Sequence, residues 1–63
     1  MEYKIRAFRL ALKMSQEELA KKSGVSRTTI SGLESGNIKV TTTETLQKIA
    51  RALDKKVSDI FLP

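Results

Sequence analysis

The stretch Ser15–Gly36 reads SQEELAKKSGVSRTTISGLESG. From Ser23 onward it holds all three glycines of the chain and six Ser/Thr among fourteen residues. Composition alone assigns that half to a loop, because glycine and hydroxyl residues punctuate turns. Spacing says otherwise. Ile30 and Leu33 stand at helical spacing, Ser26 is a good cap before them, and Gly36 is a good stop after them. The first half opens on a capping box: the Ser15 hydroxyl accepts from the Glu18 amide while Glu18 reaches back. It starts a helix that buries Leu19 and Ala20 and ends at Ser23-Gly24, where glycine suits a left-handed backbone.

The flanks read as helices too. Ile5, Phe8 and Leu12 give a first amphipathic helix over residues 2–13. Thr41-Thr42-Thr43-Glu44 offers a further capping box, opening a fourth helix with Leu46, Ile49, Ala50 and Leu53 on one face. Ser58 is placed to cap a last short turn through Phe61, ended by Pro63. No stretch keeps the alternation of a half-buried strand. The fold class expected is all-α, with five helices in one domain over residues 1–63.

With 63 residues the chain is near the lower limit for a domain that folds without staples. It has no cysteine and no histidine, so disulfides and an ordinary zinc site are excluded. No serine sits in a nucleophile motif, and no enzyme, metal or cofactor is expected. No apolar run approaches the roughly 18 residues of a membrane span, and no signal peptide opens the chain. A cytoplasmic protein with no membrane partner is the expectation. Twelve Lys/Arg against seven Asp/Glu give +5, and eight of the basic residues lie within residues 1–39 against four acidic ones. That surplus favours an anionic partner, nucleic acid above all.

The second and third helices are separated by so few residues that they must cross steeply. Close crossing needs a small residue at the contact, a glycine in the turn and apolar anchors beyond it: Ala20, Gly24, Ile30 and Leu33. That is the helix-turn-helix pattern, over about residues 16–35.

Along nearly its whole length the chain resembles the Cro/repressor-type helix-turn-helix family, also called the XRE family. The matching residues are MSQEELAKKSGVSRTTISGLESG and ETLQKIARALDKKVSDIF. The resemblance implies a compact five-helix, lambda-repressor-like DNA-binding domain, usually homodimeric on DNA, regulating transcription in bacteria, phages or mobile elements. Some relatives instead serve as antitoxins or restriction-control proteins. An antitoxin or adaptor that turns the same fold against a protein partner is therefore the alternative. It calls for a large apolar or acidic exposed patch, whereas this sequence offers a polar helix beside basic residues.

At about 100° per residue, Ile30 and Leu33 point one way while Arg27, Thr28, Ser31, Gly32 and Ser35 cluster opposite. Such a lean face suits a major groove about 12 Å wide, and Gly32 is read as keeping that face thin. Arg27 suits a guanine edge. Thr28 and Ser31 suit base edges or water, and Thr28 also offers a methyl for thymine. Gly32 contributes through close approach. Gln16 suits either adenine or a phosphate; in the family its position typically touches the backbone, while those of Arg27, Thr28 and Gly32 face bases. For phosphates, helix N-termini offer amides and partial positive charge, giving Ser15, Gln16, Ser26, Thr42 and Thr43. Asn37 and Lys39 follow the third helix, where relatives run along the DNA backbone. Lys48, Arg51, Lys55 and Lys56 read as solvated.

Glu34 sits near a helix C-terminus, the wrong end of the dipole for a carboxylate, and needs compensation. Arg9 on the first helix is the natural partner, and the family frequently pairs an arginine with a glutamate at these places; direct contact of Arg9 with phosphate is the other use. Relatives often have glycine where this chain has Lys13, so Lys13 is expected to adopt a left-handed backbone. At the C-terminus, Phe61 and Leu62 are the candidates for meeting a second copy.

Overall fold

A computed structural model describes residues 2–62, with side chains from Tyr3 to Phe61. Five helices make the body: α1 (Ile5–Ala11), α2 (Gln16–Ser23), α3 (Arg27–Ser35), α4 (Thr43–Ala52) and α5 (Val57–Ile60). Two-residue strands, β1 (Glu2–Tyr3) and β2 (Phe61–Leu62), flank them and pair antiparallel, with Tyr3 opposite Phe61 and Glu2 opposite Leu62.

The all-α class holds, but the first helix is shorter than the apolar spacing implied. Residues 2 and 3 are strand, and the Lys4 amide donates to the Ile60 carbonyl at 2.7 Å. A two-residue strand carries no period, and its partner lies at the other end of the chain, so neither leaves a local signal. At the other end α1 stops at Ala11, and Leu12, expected inside, is 50% exposed. Lys13 follows with φ 55°, the left-handed turn expected of it. The side chain that α1 buries beside Ile5 is Arg9.

The Ser15 box forms as read: Ser15 Oγ accepts from the Glu18 amide at 3.0 Å, and Glu18 Oε1 accepts from the Ser15 amide at 3.1 Å. The backbone bond from Ser15 holds the Glu18 carboxyl below the usual carboxylate range. Gly24 ends α2 at φ 75°, Ser26 caps α3 through the Thr29 amide, and Gly36 ends it at φ 86°.

Two caps differ from the reading. The cap of α4 is Thr42, not Thr41: its Oγ1 accepts from the Thr45 amide at 3.1 Å and donates to the Thr45 hydroxyl at 2.9 Å. Three successive threonines are equal as caps, and burial of Leu46 and Ile49 selects among them. Glu44 is left to meet Lys48 at 3.5 Å, one turn on. In α5 Ser58 lies within the helix, and the first turn is held by Asp59, whose Oδ2 accepts from the Lys56 amide at 2.9 Å. Asp54, left-handed at φ 57°, ends α4 and sets this later start. Phe61 is strand rather than a last helical residue.

Ile5, Leu19, Ile30, Leu33, Ile49, Leu53 and Ile60 form a core with almost no exposure, and every helix supplies part of it. Each such side chain contributes about 1.5–3 kcal/mol by leaving water. Because α2 packs on both α3 and α4, the third helix is pinned by its inner face and its outer face is left to solvent.

Candidate nucleic-acid interface

Ile30 and Leu33 are buried, while Arg27, Thr28, Ser31 and Ser35 on the opposite face of α3 are exposed. An open groove of about 440 Å³ runs along that face. Arg27, Thr28, Ser31 and Gly32 line it from α3, Gln16 from α2, and Asn37 from the segment that follows. The five residues read from sequence as base contacts thus meet in one groove, and one phosphate candidate joins them.

The other phosphate candidates are not among the residues that line it. Ser15 and Ser26 stand at the N-termini of α2 and α3, with their hydroxyls accepting from backbone amides. In the Ser15 box the Ser15 amide, a potential phosphate donor, is already given to Glu18. Thr42 is likewise committed as a cap. Thr43 and Lys39 are exposed.

Gly32 needs a correction. Its face is not thin for the sake of a groove alone: the Ile38 side chain fills the space. A Cβ placed on Gly32 would meet Ile38 Cδ1 and lie 2.6 Å from Ile38 Cγ1, too close for any real pair of carbons. The Ile38 amide also donates to the Gly32 carbonyl at 2.9 Å. The sequence reading missed Ile38. A lone isoleucine just past a helix gives no periodic cue; the absent side chain opposite it was the usable sign.

Behind the groove lies a charged network. Arg9 Nε donates to Glu34 Oε2 at 2.8 Å and a terminal nitrogen to Oε1 at 2.9 Å, the bidentate bridge expected. The other terminal nitrogen donates to the Met14 carbonyl at 2.8 Å. The two side chains are 9% and 5% exposed. The bond to Glu34 holds the Arg9 guanidinium even more firmly protonated than usual. Each of the three guanidinium nitrogens thus has a partner within the protein. Gln16 Nε2 donates to Glu34 Oε1 at 3.3 Å. A carboxylate only accepts, so the amide nitrogen is the atom facing Glu34. The interior bridge therefore also orients a residue of the groove.

A second missed residue is Tyr3. Its hydroxyl donates to the Lys39 carbonyl at 3.0 Å, and its ring lies 5.5 Å from that of Phe61. The strand pair thereby reaches the segment after α3, 36 residues away in sequence. Phe61 is half-buried in this contact, and the Leu62 side chain lies outside the described residues. Lys48, Arg51, Lys55 and Lys56 are exposed, Lys55 with its ammonium 5.0 Å from the Phe8 ring centre. Among the described residues no helix is long and apolar enough to cross a membrane. Among them, too, no cluster of His, Cys, Asp and Glu is arranged to hold a metal ion.

The family model described as Helix-turn-helix matches residues 5–60. Two uncharacterized HTH-type transcriptional regulators of Archaeoglobus fulgidus are each 44% identical over 62 residues. The matches cover 98% of this chain and 86% and 87% of theirs. Another such regulator, of Methanocaldococcus jannaschii, is 39% identical over 62 residues, covering 98% of this chain and 92% of its own. The resemblance pointed to bacteria, phages or mobile elements; these relatives come from Archaeoglobus and Methanocaldococcus. With the helix pair, its caps and this match over nearly the full length, the chain belongs to the Cro/repressor-type (XRE) helix-turn-helix family of transcriptional regulators.

Proposed function

We propose that residues 1–63 act as one helix-turn-helix domain that binds double-stranded DNA in a sequence-specific manner. It represses transcription as a cytoplasmic homodimer on a pseudo-palindromic operator, by occlusion and without catalysis, cofactor or small-molecule effector. The observation that carries this reading is the convergence of Gln16, Arg27, Thr28, Ser31 and Asn37 on one open groove along the free face of α3. A chain with a surplus of five positive charges supplies the attraction.

Arg27, exposed in the first turn of α3, donates its fork to a guanine edge. Thr28 and Ser31 read the neighbouring bases, with Gly32 as the platform between them. Gln16, steadied by Glu34, offers its amide to an adenine or a phosphate. Asn37, Lys39 and Thr43 hold the backbone on either side, while Ser15, Ser26 and Thr42, as caps, set the helix N-termini that face it. The dimer forms through the C-terminal face, where Phe61 and Leu62 lie. Support comes from Val40, 85% exposed beside an apolar groove lined by Tyr3, Leu46, Val57 and Phe61. Two copies related by a two-fold axis would read half-sites about 34–36 Å apart.

Selection of bound duplexes from a random pool tests this reading. It should return a pseudo-palindrome with that spacing. On it, Arg27→Ala should relax preference at one base position, costing about 1–3 kcal/mol. Lys39→Ala should weaken all sequences alike and flatten the salt dependence. Equal losses on every sequence from both variants would remove the division into reading and holding residues.

A further inference from the structure

Ile38 does more than fill the space above Gly32. It is half-buried, resting on the hydrophobic core with one side and lining the groove of α3 with the other. Among the residues that line this groove it is the one large apolar side chain; the rest are polar or glycine. Its place is fixed at both ends, by the amide bond to the Gly32 carbonyl and by contact of its β-branched side chain with the Gly32 backbone. Thr28 lies one helical turn before Gly32 and lines the same groove as Ile38.

An apolar spot amid hydrogen-bonding residues has one matching feature in the major groove. Thymine carries a C5-methyl group there, which only an apolar group can match, whether an aliphatic side chain or the methyl of a threonine. We infer that Ile38, with the Thr28 methyl, forms a seat for the 5-methyl of a thymine next to the base read by Arg27. Ile38 is thereby a specificity-determining residue although it lies outside the recognition helix. Gly32 serves this seat: any side chain there would displace Ile38. The inference rests on the DNA-binding reading above.

The test exchanges thymine for deoxyuridine, one position at a time, in the selected duplex, which removes the methyl and nothing else. For the wild-type protein one exchange per half-site should weaken binding about three- to fivefold, the effect of burying a single methyl group. Ile38→Ala should bind the thymine and deoxyuridine duplexes equally at that position. Should Ile38→Ala fail to fold, Ile38→Val keeps the branch, loses one methylene and should show a reduced ratio. A saturable wild-type complex indifferent to every exchange would overturn the inference and leave the regulator reading standing. So would a selected half-site without a fixed thymine, or a methyl effect of the same size in the Ile38 variants. Absence of any saturable complex would overturn both.

Discussion

Arg9 and Glu34 clasp each other through two hydrogen bonds of 2.8 and 2.9 Å, joining α1 to the far end of α3. This bond pair reaches the groove itself, since the same carboxylate accepts from Gln16. Arg9→Met leaves Glu34 with little solvent to replace its partner. We expect a loss of about 3 kcal/mol, the low end for breaking a buried pair, read by chemical denaturation. Weaker binding to every duplex should accompany it, through the freed end of α3. The double variant Arg9→Met/Glu34→Leu should recover much of the stability, because the uncompensated charge is gone.

Gly32→Ala separates two explanations of the same residue. If glycine served only to admit DNA, alanine would raise helix stability by about 1 kcal/mol. With Ile38 in the way, overpacking costs about 1–3 kcal/mol instead. The melting temperature should therefore fall, and it should fall in the absence of DNA.

Lys13 ends α1 with φ 55°, a conformation that costs a side-chain-bearing residue about 1 kcal/mol. Lys13→Gly relieves it at some expense in chain entropy. A modest rise in melting temperature is expected; a fall would show that Lys13 is supported by contacts beyond its backbone.

The Tyr3 hydroxyl fastens the Lys39 carbonyl to the strand pair at 3.0 Å. Tyr3→Phe keeps the ring on Phe61 and removes only that bond. Stability should change by no more than about 1 kcal/mol, as the bond is exposed. Affinity should drop by a similar factor for selected and random duplexes, with the dependence on Arg27 intact. Affinity titrations beside thermal melts would check both halves.

The helix pair was legible because its signals are local. Ser15, Gly24, Ser26 and Gly36 punctuate it, and Leu19, Ile30 and Leu33 fix its inner face within a few residues of those caps. Arg27, Thr28 and Ser31 then fall outward by helical geometry alone. What escaped depends on contacts between distant parts of the chain. The Tyr3–Phe61 pairing spans the whole sequence. The cap among Thr41, Thr42 and Thr43 was decided by burial further along α4. Gly32 stands out in the sequence as a glycine inside a helical stretch, but only the packed structure reveals Ile38 above it.

Titration of the wild-type protein against selected and random duplexes, across a series of salt concentrations, bears on all of this at once. Saturable binding should favour the selected duplex by about a thousandfold or more, and log affinity should fall by about 0.9 per neutralised phosphate for each log unit of salt. A failure to form any saturable complex at low ionic strength, with the protein shown to be folded, would contradict the account.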